Sequence, residues 1–578
     1  MLRNWRIERR AAAVADGTWP EQMHPVLRRI YAARGVAAAA EVEHRLARLA
    51  PPQQLGGLEK ASVLLAQALR EGRRIVVVGD FDADGATGTA VAVRGLRLLG
   101  AGDVDYRVPN RFTHGYGLSP ALVEELLPRR PDFILTVDNG VAAHAGVAAA
   151  NAHGIAVIVT DHHLPGDSLP AAAALVNPNL PGDAFPSKAL AGVGVVFYLL
   201  LALRAHLRGS GWFGAGRAEP DLSTLLDLVA LGTVADLVPL DYNNRVLVDA
   251  GLRRIRARQA CAGVLALIEA SKRSVETVCA SDLGFALGPR INAAGRMDDM
   301  RLGIECLLSD EPQRARELAE RLSAMNAERR ELQAQMVEQG EANVAQFLAR
   351  YGSDTLPVGV VLYEPDWHVG VVGLVASKLK ERLHRPVIAC APADEDGLEI
   401  KASGRSIAGF HLRDALAEVD ARHPGLLTRF GGHAMAAGLS LPAARLAEFA
   451  AAFDAVTRRR LDTRLLDPVL QTDGCLAAQD YDLELARQLR YAGPWGQAFP
   501  EPLFDDEFRV LDWKRMGETH LRLTLQHAQR REPLEAVMFG GYAGTPPPAR
   551  LRAAFELVID DWNGRERLRL LLRHVEAL

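Results

Sequence analysis

Carboxylate side chains are concentrated directly after a short apolar run near the start of the chain. Ile75–Val78 leads straight into Gly79-Asp80-Phe81-Asp82-Ala83-Asp84-Gly85. Three carboxylates at alternating positions repel one another strongly unless a cation lies between them. The spacing therefore indicates a site that holds positive charge.

Two later apolar runs also end in acidic residues. Phe133–Val137 is followed by Asp138, and Ile155–Val159 is followed one residue later by Asp161-His162-His163. Runs of this kind, alternating with helical patterns, predict parallel strands. Parallel strands bring such residues to the carboxyl edge of the sheet, where open α/β folds bind their ligands. We therefore expect these side chains to lie close together.

The expected ligand set combines carboxylate oxygens with imidazole nitrogen and contains no thiolate. Asp236, which follows the apolar stretch Leu225–Val234, adds another acid. Such ligands suit hard or borderline ions, notably Mn²⁺ and Mg²⁺. Two ions about 3.5–4 Å apart stabilise both the attacking and the leaving oxygen of a phosphoryl displacement. A single acid after a strand is commonly a helix N-cap, but three strands that end this way favour a metal site.

Several segments resemble a known superfamily. Gly-Asp-Phe-Asp-Ala-Asp-Gly at 79–85, Val-Asp-Asn-Gly at 137–140 and Asp-His-His at 161–163 resemble the DHH phosphoesterases. Within that superfamily, Arg-Phe-Thr-His-Gly-Tyr-Gly-Leu at 111–118 and Ala-Ala-Gly-Arg-Met at 293–297 are similar to the RecJ 5′→3′ single-strand DNA exonucleases. The likeness continues through Trp367-His368-Val369-Gly370, Ser403-Gly404-Arg405-Ser406 and Gly431-Gly432-His433.

The resemblance implies a hydrolase that binds two Mn²⁺ or Mg²⁺ ions. It implies that single-stranded DNA is hydrolysed from its 5′ end to 5′-mononucleotides, in DNA repair and recombination. His163 would face the scissile phosphate, and Asp80 and Asp161 would act beside the metals. The implied metal ligands are Asp82, Asp84, Asp138, His162 and Asp236.

A second set of residues has the chemistry to hold DNA. Arginine matches a phosphate with paired hydrogen bonds, a tyrosine face stacks on a base, and Gly-rich turns expose backbone N–H groups. Surface arginines and Gly-rich turns often have no such role, but here they lie within the family motifs. The implied DNA- and 5′-phosphate-binding residues are Arg111, His114, Tyr116, Arg296, Ser403, Arg405, Gly432 and His433. Contacts outside the metal centre would set the polarity of the enzyme.

The elements that position these residues follow an alternating pattern. Short β-branched runs separated by helical segments such as Gly88–Leu99 and Val141–Ala152 predict a parallel sheet covered on both faces. The alternation resumes after residue 355, where Val358–Leu362 and Pro386–Cys390 are predicted strands on either side of a helix over Val369–Leu383. The Gly-rich segments that follow are predicted to be turns.

One long helix separates the two alternating regions. Asp310–Leu348 keeps one face apolar, and at ~1.5 Å per residue it would span roughly 55 Å. That length favours a connector between domains over a packed core helix.

The last part of the chain changes character. Phe508–Trp513, Leu521–Leu525 and Phe555–Ile559 predict a small antiparallel barrel or sandwich. The resemblance implies an OB-fold. Lys514, Arg515 and Arg522 lie near Trp513, a mixture typical of a single-strand groove. A core position for Trp513, with cations that are merely solvated, is the open alternative.

The predicted fold class is therefore α/β. It comprises a parallel-sheet DHH domain and an α/β DHH-associated domain joined by a long helix, plus a C-terminal OB-type β-barrel. The expected boundaries are 1–59 for an N-terminal helical segment, 60–305 for the catalytic domain, 306–350 for the connector, 351–460 for the DHH-associated domain and 465–573 for the barrel.

Composition excludes several other classes. The 578 residues carry a formal net charge of −4, so a uniformly basic nucleic-acid coat is ruled out, although a local basic surface is not. Five widely spaced cysteines argue against a disulfide framework and a thiolate zinc site. The apolar run Ala189–Leu203 would span only ~22 Å as a helix, too short for a bilayer. We expect a cytoplasmic monomer with no membrane association.

Two alternatives stay open from the sequence. The first is a small-substrate DHH phosphodiesterase that acts on short oligonucleotides or cyclic dinucleotides. The connector and the extra β-domain argue against it, because a small substrate needs neither. The second is a non-catalytic scaffold, which the complete ligand set disfavours. Besides single-stranded DNA, the resemblance suggests single-strand DNA-binding protein and a recombination helicase as partners.

Overall fold

The computed structural model describes residues 5–11, 19–109, 116–214, 216–351, 357–394, 396–542, 544–562 and 565–578. An N-terminal segment is followed along the chain by a first α/β unit, one long helix, a second α/β unit and a closed barrel. The predicted α/β class with a terminal β-barrel is confirmed.

The described part of the N-terminal segment includes strand β1 (Arg6–Arg9) and helix α1 (Pro25–Ala33). Tyr31 of α1 stacks on Trp495 and Phe499, at ring-centroid distances of 6.0 and 6.4 Å. These aromatic contacts attach the N-terminal segment to the chain just before the barrel.

The first α/β unit is built on a five-stranded parallel sheet. Its strands are β2 (Ile75–Val78), β3 (Val104–Arg107), β4 (Phe133–Val137), β5 (Ala156–Thr160) and β6 (Ala174–Val176). Their spatial order is β3-β2-β4-β5-β6. The chain leaves β2 toward β3 on one side and later pairs β4 on the other, so the direction of winding changes there. A crevice opens at such a point, outside the carboxyl ends of the strands.

Helices cover both faces of this sheet. One face is covered by α2 (Leu58–Arg70), α3 (Ala83–Leu98) and α6 (Gly192–Gly209), and the other by α4 (Pro120–Leu126) and α5 (His144–Ala152). The helices α7 (Leu226–Ala235), α8 (Tyr242–Arg256), α9 (Ala262–Ala270), α10 (Ala280–Asp282), α11 (Gly288–Met297) and α12 (Arg301–Leu308) extend the core of the first face. Helix α6 is long and apolar enough to cross a membrane, but most of it is buried within the protein. It is the buried helix that the apolar run predicts.

A single helix, α13 (Pro312–Tyr351), links the two α/β units. Its 40 residues correspond to about 60 Å at 1.5 Å per residue. Leu318 and Leu322 are buried in the core of the first unit, whereas Met336 and Val337 are buried in a separate core with Trp367. The helix is therefore both a connector and a core element.

The second α/β unit has a mixed sheet. Its elements are β7 (Val360–Tyr363), α14 (Val372–Leu383), β8 (Val387–Pro392), β9 (Glu399–Arg405), α15 (Leu412–Arg422), β10 (Arg429–Gly432), β11 (Ala436–Pro442) and α16 (Leu446–Arg460). The strand order is β10-β11-β9-β8-β7, and β7 and β8 pair in parallel. Ser403-Gly404-Arg405 therefore lies in a strand and not in the predicted turn, because β8 and β11 pair with it on both sides.

The C-terminal part forms a closed barrel. After β12 (Val469–Thr472) and α17 (Leu483–Tyr491), the barrel strands are β13 (Phe504–Met516), β14 (His520–His527), β15 (Leu534–Met538), β16 (Arg550–Trp562) and β17 (Arg565–Ala577). They close in the order β13-β14-β15-β17-β16. The strands are longer than the apolar runs predict, because pairing continues through charged residues on the outer surface.

Ion pairs hold the N-terminal segment against the barrel. Strand β1 pairs in parallel with β12. The buried carboxylate of Asp505 accepts hydrogen bonds from Arg9, Thr472 and Arg552, and Arg34 donates two hydrogen bonds to Asp473. The N-terminal residues thus fix the barrel to the rest of the molecule.

Candidate active site

The loop after β2 carries the first three carboxylates. Asp82 caps α3 by accepting a hydrogen bond from the N–H of Gly85 at 2.9 Å. A Cβ on Gly85 would lie only 2.5–2.7 Å from backbone atoms of Asp80, so a glycine is needed for the tight turn. As a result, Asp80 and Asp84 are buried while Asp82 is partly exposed. This cap also explains why α3 begins at Ala83, earlier than the predicted Gly88.

Asp84 points at the N-terminus of α6. Its two carboxylate oxygens accept hydrogen bonds from the N–H groups of Gly192 and Val193, at 2.6 and 2.9 Å. Backbone N–H groups at a helix N-terminus stabilise an anion. Burial nevertheless raises the pKa of Asp84 to about 7, and the charge of Asp82 adds to the shift. A bound cation would favour the ionised form.

Asp138, at the end of β4, adopts an unusual backbone conformation. Its φ of +61° lies in the left-handed region, which residues other than glycine, asparagine and aspartate rarely adopt. The hydroxyl of Tyr116 donates to the Asp138 carbonyl at 3.0 Å, and the Asp138 N–H donates to Thr160. A Cβ on Gly192 would lie 2.6 Å from the Asp138 Cβ. These contacts hold the carboxylate in the crevice.

His162 and His163, hereafter the His pair, follow β5. The Nε2 atom of His162 lies 2.9 Å from Asp138 Oδ1, 3.6 Å from Asp236 Oδ2 and 3.9 Å from Asp84 Oδ2. Asp236, the C-cap of α7, therefore reaches the same point as the acids of the sheet. The predicted convergence at the carboxyl edge is observed.

The donor atoms form three overlapping groups, each within 4.8 Å, that could hold a metal ion. The groups are Asp80, Asp82 and Asp138; Asp84, His162 and Asp236; and Asp138, His162 and His163. Asp138 Oδ1 and His162 Nε2 are both buried and make no well-oriented hydrogen bond with the described residues. Oxygen and imidazole donors without such bonds fit Mn²⁺ or Mg²⁺.

The electrostatics of the site favour the binding of a cation. Burial raises the pKa of Asp138 and Asp236 well above the ordinary range, and the charges of neighbouring carboxylates raise it further. Burial also lowers the pKa of His162 to about 4. His162 is therefore neutral near pH 7, as a metal ligand must be.

His163 has a different environment. Its Nδ1 lies 2.8 Å from Asp161 Oδ1, and its side chain is 36% exposed toward the cleft. Burial disfavours the charged ring, but the hydrogen bond to Asp161 and the charges of Asp161, Asp80 and Asp82 outweigh it and raise the pKa of His163. The ring meets Tyr116 edge-on, at a centroid distance of 5.9 Å. The raised pKa favours the protonated ring, which is the form that can donate into the cleft.

A candidate phosphate-binding pocket surrounds Arg405 on the second α/β unit. Arg405 Nη1 donates to Ser403 Oγ and to the Gly404 carbonyl, at 2.9 and 2.8 Å. Within the described part of the chain, no carboxylate forms an ion pair with Arg405. A Cβ on Gly373 would lie 2.9 Å from Arg405 Nη2, so the guanidinium packs on the first turn of α14. Burial lowers the pKa of Arg405, but an arginine keeps its charge near neutral pH.

The two units meet near this pocket. Arg296, in the last turn of α11, donates to the Gly370 carbonyl at 3.3 Å. Gly432 has a φ of +137° and leads into the turn that exposes His433. Burial and the charge of His163 lower the pKa of His433, and His433 in turn lowers that of His162. His433 therefore lies close enough to the His pair for the charges to interact.

The structure does not place every predicted residue. Arg111 and His114 lie outside the described residues. Tyr116 is described and lies at the site, where its hydroxyl contacts the Asp138 backbone and the His163 ring.

Three asparagines at the same edge were not among the predicted site residues. Asn139 donates to the carbonyls of Val78 and Val137, which joins the ends of β2 and β4. Asn177 and Asn179 follow β6 and contact the backbone of the His pair. The sequence pattern could have identified Asn177 and Asn179, since these polar residues follow β6 as the acidic residues follow β2, β4 and β5.

Family models match three parts of the chain. The DHH family, N-terminal domain, matches residues 74–233, the DHHA1 domain matches 357–459, and the RecJ OB domain matches 472–574. These matches lie on the first α/β unit, the second α/β unit and the barrel region.

Full-length relatives are also similar to this chain. The single-stranded-DNA-specific exonuclease RecJ of Dickeya dadantii is 52% identical over 574 residues, covering 98% of this chain and 99% of that protein. The same-named protein of Escherichia coli is 50% identical, covering 96% of each.

Solved structures agree with the sequence comparisons. The crystal structure of RecJ in complex with Mn²⁺ from Thermus thermophilus superposes with a TM-score of 0.79 at 33% identity, covering 96% of this chain and 76% of that chain. The Mg²⁺ complex gives 0.73 at 31% identity, covering 96% and 75%.

Proposed function

The chain belongs to the RecJ family of single-stranded-DNA-specific exonucleases, and we propose that it degrades the strand from its 5′ end at a two-metal centre. The protein is a hydrolase that acts on single-stranded DNA, and its cofactor is Mn²⁺ or Mg²⁺. The proposal adds the direction, the products and the role of each residue. We propose 5′-mononucleotides as products.

The cluster around Asp138 supports the metal assignment. Asp82, Asp84, Asp138, His162 and Asp236 would hold the ions, with Asp80 beside them. When bound, two divalent ions supply charge neutralisation and activation of the attacking water in a phosphoryl displacement. Asp138 and His162 have central roles, because each belongs to two of the three donor groups.

We assign His163 to the scissile phosphate. Asp161 orients the ring through Nδ1 and raises its pKa, so the ring can donate from its other nitrogen to a phosphate oxygen. Such a donor stabilises negative charge that develops in the transition state. Tyr116 fixes the Asp138 backbone and limits the rotation of the His163 ring.

The direction of digestion needs a separate binding site. A two-metal centre accepts a strand threaded either way, whereas a terminal phosphate monoester carries more negative charge and more free oxygens than an internal diester. The pocket of Ser403, Arg405 and Arg296, with the N-terminal turn of α14, offers guanidinium and backbone donors for that group. The observation that carries this proposal is the packed guanidinium of Arg405, which has no carboxylate partner within the described residues. Gly432 and His433 would close the pocket on the side that faces the His pair.

The outer surface of the barrel is our candidate for the rest of the strand. Trp513 stacks on Tyr542 at a centroid distance of 6.1 Å, and Arg515 lies 5.6 Å from the Tyr542 ring centroid. Lys514 and Arg522 lie directly opposite each other on β13 and β14. Arg522 also forms an ion pair with Glu535, at 2.8 Å, so Lys514 and Arg515 are the barrel cations that we propose for contact with the strand. Single-strand DNA-binding protein and a recombination helicase are proposed partners, and the cytoplasm is the proposed location.

The decisive experiment is digestion of one oligonucleotide labelled at either end. With Mn²⁺ or Mg²⁺, a 5′ label should appear at once as mononucleotide, whereas a 3′ label should stay in progressively shorter strands. A chelator should stop both reactions. Early release of the 3′ label would contradict the proposed direction, and activity with chelator present would contradict the metal centre.

A further inference from the structure

Side chains hold all four backbone polar groups of the His pair. The N–H groups of His162 and His163 donate to Asp161 Oδ1, at 2.8 and 3.1 Å. The carbonyl oxygens accept from two amides: Asn179 Nδ2 donates to His162 at 2.5 Å, and Asn177 Nδ2 donates to His163 at 2.8 Å. Buried backbone polar groups need partners, and here the partners also fix both peptide planes.

The two asparagines come from a turn at the same edge of the sheet. Strand β6 runs parallel to β5 and ends at Val176, so the turn after β6 lies beside the His pair. Asn177 Oδ1 accepts the N–H of Asn179 at 2.8 Å, a side-chain turn across Pro178. Lys188 Nζ donates to the Pro178 carbonyl at 2.6 Å. The Asn179 amide is therefore aimed before any substrate arrives.

We propose that Asn177 and Asn179 are positioning residues of this nuclease. They act through the His pair: by holding its carbonyls they aim His162 Nε2 at the carboxylates and His163 at the cleft. A displacement of about 1 Å in a catalytic group can lower the rate roughly 100-fold. The inference rests on the roles proposed above for the His pair.

The bond needs an amide for a chemical reason. The acceptor is a carbonyl oxygen, so the residue at 179 must donate a proton. An ionised aspartate has the same shape but only accepts, and it would repel the carbonyl. Alanine removes the donor without adding repulsion, and because Asn179 is only partly buried, water can replace the lost bond. The predicted order of activity is wild type, then Asn179→Ala, then Asn179→Asp.

Asn151 offers a matched control. Its Nδ2 donates to the Ala171 carbonyl at 2.9 Å, so Asn151→Asp breaks the same kind of bond in the same α/β unit but away from the His pair. We expect this variant to keep the wild-type kcat, KM and Mn²⁺ affinity.

The test measures kcat and KM on 5′-phosphorylated single-stranded DNA, and Mn²⁺ affinity by calorimetry without DNA. For Asn179→Asp we expect kcat to fall about 30- to 100-fold, with KM within about threefold and clearly weaker Mn²⁺ binding. A purely structural role would lower the unfolding temperature but leave kcat per folded molecule and Mn²⁺ affinity at the Asn151→Asp values. If Asn179→Asp does not fold, the same measurements are made on Asn179→Ala. An Asn179→Ala variant with the kcat and the Mn²⁺ affinity of wild type would then overturn the proposal.

The outcomes separate this inference from the proposed function. Wild-type digestion from the 5′ end with unchanged Asn179 variants would overturn only the positioning role. The opposite result is also possible: the wild-type protein does not digest from the 5′ end, but the Asn179→Asp variant binds Mn²⁺ more weakly than wild type. That result would overturn the proposed function and support the role of Asn179 in orienting His162.

Discussion

Replacing Arg405 is the most direct test of how the enzyme recognises a strand end. Arg405 is held by Ser403 and the Gly404 carbonyl, and its guanidinium packs against the start of α14. A charge-assisted hydrogen bond contributes about 1.5–3 kcal/mol. At ~1.4 kcal/mol per tenfold, its loss corresponds to roughly a 10- to 150-fold decrease in kcat/KM.

The decrease should be confined to phosphorylated ends. We therefore expect Arg405→Ala to reduce the ratio of kcat/KM for 5′-phosphate over 5′-hydroxyl strands, with Mn²⁺ affinity unchanged. The ratio for Arg405→Lys should lie between those of wild type and Arg405→Ala, because an ammonium keeps the charge but not the planar paired donors. The assay is initial-rate digestion of the two strands, which differ only in the terminal phosphate.

Lys401 provides the control. It lies on the same face of β9, four residues before Arg405, and is exposed. Lys401→Ala removes one cation from the same strand, so it should keep the wild-type ratio. A folded Arg405→Ala variant that retains the full 5′-phosphate preference would refute the pocket, and Arg111 would then be the next candidate.

Four further outcomes are expected. Asp138→Asn should abolish hydrolysis without loss of thermal stability. The control Asp132→Asn, at the opposite end of β4, should keep its activity in the same rate assay. A decrease of less than about tenfold in the rate of Asp138→Asn would contradict the metal assignment. Blunt duplex DNA should resist digestion unless a 5′ overhang is added, and equal rates on blunt duplex and single strand would refute strand selectivity by a narrow cleft. Trp513→Ala should raise KM for long strands several-fold, since base stacking contributes about 1–3 kcal/mol, but it should not change KM for a trinucleotide. Equal changes in KM for the two substrates would argue against a contact between the strand and the barrel. Hydrogen bonds from Arg9, Thr472 and Arg552 outweigh burial and lower the pKa of Asp505. The contribution of Asp505 to the free energy of unfolding should therefore be complete above the unfolded-state pKa of about 3.9 and be lost as pH falls through the lower native pKa. In urea unfolding, the difference in unfolding free energy between wild type and Asp505→Asn should shrink over that pH range, and a constant difference would contradict the linkage.

The regular parts of the fold could be predicted because local pattern determines them. β2 and β4 have the predicted bounds, since β-branched runs with no polar interruption have few alternatives to a buried strand. The start of α3 was predicted too late, because Gly85 and Gly88 weaken the helical pattern. They are tolerated because Gly85 packs against the Asp80 backbone and Gly88 against Val137. The Asp82 cap and tertiary packing, and not helix propensity, decide that boundary.

The convergence of the acids could be predicted for a geometric reason. The proposed phosphate pocket around Arg405 could not be predicted from local pattern. Parallel strands must end at one edge of the sheet, so Asp138 and His162 were expected to meet whatever the loops did. Arg405 packs on Gly373 and Arg296 donates to the Gly370 carbonyl, so both arginines contact the segment around the start of α14 only through the path of α13 and the pairing of β9 with both of its neighbours. Those depend on contacts between residues far apart in sequence, which no local pattern encodes. For the same reason the glycine-rich segments were predicted as turns although β9 is a strand.

The site also shows where this fold departs from its most stable arrangement. Asp138 occupies a left-handed conformation that costs on the order of 1–3 kcal/mol, and it lies among buried carboxylates that repel one another. The surrounding structure offsets this with oriented donors: the N-terminus of α6 for Asp84, the Tyr116 hydroxyl for the Asp138 carbonyl, and the Asn139 amide across the ends of β2 and β4. Each of these contacts fixes a direction as well as adding stability. A site that must place two cations against one phosphate needs its ligands aimed before the cations bind, and the strained Asp138 backbone is the consequence of that requirement.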